Sequence, residues 1–366
     1  MQTDVLIVGG GPAGIATAIA ARTKGLSVTV LDARRPPIDK PCGEGLLPQG
    51  AAALRRLGIP LDSSLIFPFS GFRFCDENSS VTAPLPGTSA FGIRRTVLHC
   101  LLVGRALDLG VSFLWNTRAL RFSSSGVDTS AGFVPYRWLV GADGYPSNVA
   151  AFAGLHGSAR RFRFGFRRHY EIAPWSDRVE VHWGEKCQMI VTPTGAGEIC
   201  ISFFTGDPRI RLNLALEKFP DVAQRISGAQ SLSSHAGAVT LLSRAKAAAR
   251  GNVALVGDAS CTVDGITGQG LSLAFQQALH LADAMACGDL ARYRAAHRRI
   301  IRMPLRMTRL LLAMSASSSL RRKVLRLFAA KPALLSTLIA VHASESGTDA
   351  LGAADFVNLG WRVIRA

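Results

Sequence analysis

Negative charge is scarce in this sequence: 25 Asp and Glu stand against 42 Lys and Arg over 366 residues, a formal net charge of +17. Such a balance favours an anionic partner, whether nucleic acid, a membrane surface or a phosphate-bearing cofactor, without choosing among them. Charged residues make up only 18% and hydrophobic ones 48%, which excludes a disordered chain and leaves ample material for one large domain or two interleaved ones. Paired cysteines are missing too. Cys42, Cys75, Cys100, Cys187, Cys200, Cys261 and Cys287 are odd in number and none forms a C-x-x-C pair. That is a poor disulfide framework and a poor zinc site, so reduced thiols in a cytoplasmic protein are expected, with no metal. No uninterrupted apolar run approaches the ~20 residues of a spanning helix. The chain enters a strand without a basic-then-apolar leader, so any membrane contact is expected to be peripheral.

What the sequence does have is a glycine loop in a full strand–loop–helix–strand setting. Asp4-Val5-Leu6-Ile7-Val8 is an apolar run of the kind that forms a buried parallel strand. Gly9-Gly10-Gly11-Pro12-Ala13-Gly14 follows at once, then an apolar helix to about Arg22 and a second strand from Ser27 to Leu31. In this pattern Gly9 permits the tight turn, Gly11 lets backbone approach a pyrophosphate, and Gly14 packs helix against strand. Pro12 and Ala13 open the helix, whose free N–H groups and positive dipole end suit phosphates. Asp32, followed by Ala33 and Arg34, stands where a carboxylate meets a ribose diol. The spacing indicates a dinucleotide and leaves NAD and FAD both open.

Two further segments bear on that choice. Leu139-Val140-Gly141-Ala142-Asp143-Gly144 resembles the "DG" motif of flavoprotein hydroxylases, and Val253-Ala254-Leu255-Val256-Gly257-Asp258 resembles their "GD" motif. Gly268-Gln269-Gly270 and a long helix come next. Over roughly residues 1–290 the chain thus resembles the superfamily of para-hydroxybenzoate-hydroxylase-type monooxygenases, geranylgeranyl reductases and flavin-dependent halogenases. The resemblance implies FAD as cofactor, with NAD(P)H as electron donor. It implies that Asp143 and Gly257 lie at the cofactor and that Asp258 bonds the ribityl chain. It places the amides of Gly268, Gln269 and Gly270 at the flavin pyrimidine edge, and Arg95 at the FAD phosphates. Lys40-Pro41-Cys42-Gly43-Glu44-Gly45 resembles the loop of archaeal geranylgeranyl reductases in which a cysteine sits beside the flavin. Cys42, with Gly43 beside it, is the candidate catalytic residue, as proton donor or shape element, and Glu44 would fix the loop. Departures are Ala150, Cys261 and Gly265, where hydroxylases carry arginine, histidine and proline.

The expected fold is α/β: a discontinuous Rossmann-like FAD-binding domain (1–65, 92–158, 245–290), an antiparallel β-sheet substrate domain (66–91, 159–244) and a helical C-terminal region (291–366). From Arg160 to Arg244 the chain reads as strands. Phe162, Phe164 and Phe166 alternate with Arg161, Arg163 and Arg167, which places the rings on one core face. Aromatics among basic residues also suit single-stranded nucleic acid, but with flavin motifs present no nucleic acid is expected. His169, Tyr170 and His182 are polar candidates for a cavity holding a small apolar substrate. From Leu290 to Ser344 twelve Lys or Arg occur and no acid at all. Tyr293, Ala296, Ile300, Pro304, Met307, Leu311 and Met314 describe an amphipathic helix interrupted near Pro304. A helical cap is expected, with weak anionic-membrane contact through 291–331. The reaction stays open: hydroxylation of an apolar aromatic, quinone-like or polyketide-like substrate is placed first. Reduction of a lipid or isoprenoid C=C bond is the alternative, and flavin binding without turnover the third.

Overall fold

The computed structural model describes residues 3–344 except 78, 86, 88, 89, 158–161 and 235. Arg160 and Arg161 of the aromatic strand, and 345–366 of the C-terminal region, lie outside the described residues. The fold is α/β as expected. Thr3–Val8 pairs in parallel with Val28–Asp32 on one side and Gly132–Gly141 on the other, Ser112–Trp115 and Val253–Leu255 extend the sheet in parallel on either side, and Ala249–Arg250 adds an antiparallel edge beyond the latter. Val5 and Ile7 point to one face and Leu6 and Val8 to the other, and both faces are covered. An apolar run with no polar alternation fits such a doubly covered strand. Helix Pro12–Arg22 lies on one face between Arg95–Asp108 and Gly270–Ala286.

The second sheet runs Gln230–Ser231, Phe162–Glu171, Glu198–Thr205, Cys187–Gly195, Arg178–Gly184, Gly71–Cys75, Ser80–Pro84, with Ala236–Leu241 also paired to Phe162–Glu171. Every pairing is antiparallel except that of Gly71–Cys75 with Arg178–Gly184. One face carries Phe166, Tyr170, Met189, Val191 and Phe203, covered by Leu212, Phe219 and Val222. The covering residues belong to short helices, Leu212–Leu216 and Pro220–Arg225, in a stretch expected to be strand. The opposite face carries Val179, Val181, Ile190 and Phe204, and part of it packs against the C-terminal helices.

The aromatic strand corrects a second expectation. Phe166 is buried but Phe162 is 56% exposed, while Arg167 on the alternate face is only 3% exposed. Arg167 looks inward to the site rather than to solvent, and Arg163 pairs with Asp264. The C-terminal region is a helical cap: Leu290–Ala316, Ser318–Ala330 and Pro332–Ala343. The first runs straight through Pro304 rather than breaking there. Proline forfeits one backbone bond, and burial of Ile300, Ile301, Met303, Leu305 and Met307 holds the helix. Tyr293 anchors it to the parallel sheet by donating to the Leu255 carbonyl at 2.6 Å. Among the described residues no single helix is long and apolar enough to cross a membrane.

Candidate active site

The glycine loop is set by close backbone approach. Gly9 has φ +112°, and a Cβ there would lie 2.3 Å from the Ala142 carbonyl oxygen. A Cβ on Gly14 would lie 1.9 Å from the Gly9 oxygen, whereas one on Gly11 would meet nothing within 4 Å. The loop is therefore tight against the protein at Gly9 and Gly14 and open at Gly11, just before the helix that starts at Pro12 and Ala13. Asp32 braces it, accepting from Gly10 N at 2.8 Å and from Arg34 N, past Ala33, at 2.9 Å. His99, which the sequence reading passed over, bonds the Gly10 carbonyl through Nε2 at 2.8 Å, and burial pushes its pKa down. Asp143 is turned the other way. Its carboxylate accepts from Ser147 Oγ and from the amides of Asn148 and Val149, holding the start of helix Asn148–Phe152.

A cavity opens where this loop meets the second sheet. Pro12, Ala13, Cys42, Gly43, Arg95, Gly257, Asp258, Gly268, Gln269 and Gly270 all line it, so most of the sequence-predicted site residues come together. Gly257, at φ +58°, brings the chain so near the first helix that a Cβ would sit 2.8 Å from Ala13 Cβ. Asp258 pairs with Lys40 at 2.9 Å. Helix Gly270–Ala286 begins at the cavity wall. Gln269 is buried and donates through Nε2 to the His342 carbonyl at 2.5 Å and lies 3.1 Å from its Nδ1, while His342 Nε2 lies 3.1 Å from the Thr267 carbonyl. The last helix of the cap thus latches the Gly268–Gly270 turn, a link with no signal in local sequence.

The cysteine loop hangs between both halves. Glu44 has φ +57° and is 2% exposed; its Oε1 accepts from Arg95 N at 3.0 Å and its Oε2 meets His169 Nε2 at 2.5 Å. The loop-fixing role expected of Glu44 is what its contacts describe. Arg167 donates to both carboxylate oxygens of Asp39 at 2.7 Å and lies 3.0 Å from His169 Nδ1. Arginine is a donor only, so Nδ1 is the acceptor and the ring proton sits on Nε2. Glu44, His169 and Cys200 cluster closely enough to suggest a metal, but this tautomer leaves no lone pair on Nε2 toward the other two. Cys42 lines the cavity and accepts from Glu44 N at 3.4 Å, and burial raises its thiol pKa, with Arg95 partly opposing. Tyr170 sits in the core on the far face of the sheet, and His182 pairs with Glu180 at 3.0 Å against Phe219 there, so neither reaches the cavity; His169 is buried against Glu44 and does not line it either.

These residues fit FAD. Two helix N-termini, at Pro12 and Gly270, and the open space at Gly11 suit phosphate and ring oxygens. The Nε of Arg95 is buried at the cavity without a hydrogen-bond partner among the described residues, which leaves it open to an anion. A family profile for the FAD binding domain matches residues 2–183. Menaquinone reductase of Mycolicibacterium smegmatis is 28% identical over 81% of this chain and 79% of its own length. Digeranylgeranylglycerophospholipid reductase 2 of Methanopyrus kandleri is 26% identical over 74% of each. A flavoprotein/dehydrogenase structure from Cytophaga hutchinsonii superposes with TM-score 0.83 at 16% identity, over 100% of this chain and 98% of that one, a likeness of fold. Residues 2–183 are an FAD binding domain, and the chain is an FAD-dependent oxidoreductase of the superfamily that holds the para-hydroxybenzoate-hydroxylase-type monooxygenases and geranylgeranyl reductases.

Proposed function

We propose that the chain reduces a carbon–carbon double bond of an isoprenoid or similarly apolar lipid, with NAD(P)H as electron donor. This takes the reductive alternative over the oxygen insertion that the sequence placed first. The observation that carries it is Cys42, a half-buried thiol kept protonated at the wall of a cavity whose substrate side is apolar: Phe69, Phe72, Val179, Val181 and Ile190. The reductase names of the two relatives described above support the same reading.

FAD supplies, when bound and reduced, a hydride for one alkene carbon. The chain's own residues do the rest. Arg95, Asp32 and the two helix starts hold the cofactor, and the apolar sheet face holds the chain of the substrate and excludes water. Cys42 delivers the proton to the other alkene carbon; a thiol with a raised pKa is a poor nucleophile and a well-kept acid. Glu44, clamped by His169 and the Arg95 amide, keeps Cys42 in place.

The test is reoxidation without oxygen. The FAD-loaded protein is reduced with dithionite and mixed anaerobically with a geranylgeranyl lipid that carries no quinone or other reducible group besides its alkenes. Return of the oxidised-flavin absorbance, stoichiometric with the alkene, is the expected result. If absorbance returns only when oxygen is admitted, hydroxylation is the better reading.

We also propose that the exposed Arg292, Arg298, Arg322 and Arg326 of the cap rest on an anionic bilayer, the source of such a substrate.

A further inference from the structure

A second cavity, of about 1110 Å³, lies between the edge of the antiparallel sheet and the long helix Leu290–Ala316. Leu305, Arg309, Leu312 and Ala316 line it from the helix, at spacings that put them on one face. Phe162, Arg163, Leu242 and Arg244 line it from the sheet side, and Lys186 from the turn between Arg178–Gly184 and Cys187–Gly195. The only carboxylate of the lining among the described residues, Asp264, is already taken: Arg163 donates to it at 2.9 Å, donates also to Gln188 and stacks over Phe204. Lys186, Arg244 and Arg309 are exposed, and none has an acidic partner within ion-pair distance among the described residues. Here three cations without an ion-pair partner among the described residues line a concavity together with Leu242, Leu305 and Leu312, with Phe162 left 56% exposed beside them.

The place also matters. Asp264 belongs to this cavity while its neighbour Gly265 lines the FAD-side cavity, and Leu242 and Thr240 divide the same way. One turn and one strand end separate the two spaces.

We propose that this second cavity binds an organic phosphate carrying an apolar or aromatic body: the phosphate on the three cations, the body on the leucines. Two sources supply that chemistry, the phosphate head of a prenyl lipid and a nicotinamide dinucleotide. The lipid source rests on the reductase reading above, but the test reads binding rather than turnover, so each can fail alone.

Calorimetric titration of the FAD-loaded protein uses geranylgeranyl monophosphate, geranylgeraniol and NADP⁺ as probes. The expected result is that one of the two phosphates binds, and that the alcohol binds at least about tenfold more weakly than its phosphate if the lipid is the one. In R244E/R309E the responding phosphate should weaken by about tenfold or more, while R244K/R309K stays within a few-fold of the parent. FAD content and thermal midpoint establish that each variant is folded. Should the double reversal fail to fold, Lys186→Glu, on an exposed turn, carries the same expectation. Which phosphate responds identifies the source. Binding of neither phosphate, or binding indifferent to charge reversal, overturns the proposal.

Discussion

Cys42 has two neighbours that matter to its proton: Glu44, whose amide points at its sulfur, and Arg95 across the cavity. Burial holds the thiol protonated above its ordinary range, so the acid form persists through neutral and mildly alkaline pH. Reductive turnover should therefore be flat across pH 7 and decline only as pH rises beyond ~8.5, the unperturbed thiol value. A pH–rate profile rising through that range would contradict a protonated Cys42. Cys42→Ala should retain FAD yet lose on the order of 10²-fold in kcat, the usual worth of a positioned acid; wild-type turnover in that variant would remove Cys42 from the chemistry. His169 is testable by its donor. His169→Phe leaves the buried Glu44 carboxylate without its Nε2 partner and should cost about 1–3 kcal/mol of stability, whereas His169→Gln, which keeps an N–H, should recover part of it in denaturant unfolding.

At the scale of elements, the glycine loop was the most legible part of the chain, because its reasons are local. Gly14→Ala places a methyl 1.9 Å from the Gly9 oxygen, so helix and strand must separate. Loss of FAD from the purified variant is expected, and full flavin content would show that the close packing is not required. The motifs at Gly257-Asp258 and Gly268-Gln269-Gly270 were legible for the same reason, and the fold delivers them to the one cavity that the loop borders. Sheet faces were not legible. Adjacent strand residues point oppositely, so naming His169 and Tyr170 together guaranteed that at least one was wrong; His169 faces the cofactor-loop side but ends on Glu44 rather than in the cavity. The pattern could not tell which face would meet the cofactor loop. The same ambiguity hid Arg167, a charged residue buried because Asp39 comes to it from a distant loop. Pro304 misled in the opposite sense: a local breaker was overruled by the apolar face packed around it.

At the scale of the molecule, the cap is fastened to the active-site side of the fold at buried histidines. His297 and His342 are pushed down to about 4, both chiefly by burial, His297 with Arg244 adding to it. In the unfolded chain histidine titrates near ~6.5, so as pH falls below that value the unfolded state takes up protons first. Stability is full at pH 7 and is lost as pH falls toward 4, at up to ~1.4 kcal/mol per pH unit for each histidine. The thermal midpoint should fall steadily from pH 7 to pH 5, and a flat midpoint would contradict neutral buried imidazoles. For the bilayer, binding to anionic liposomes should be present at low salt and fall steeply as salt rises; no binding at low salt rejects that contact.

The two halves of the molecule meet at one cavity, with cofactor residues on one wall and an apolar sheet on the other, and the central claim is that an alkene is reduced between them. Product mass tests it most directly. With NADPH and an unsaturated isoprenoid under strict anaerobiosis, the account predicts a product heavier by two hydrogen atoms, formed as fast as in air. A product heavier by one oxygen atom, formed only in air, would contradict it.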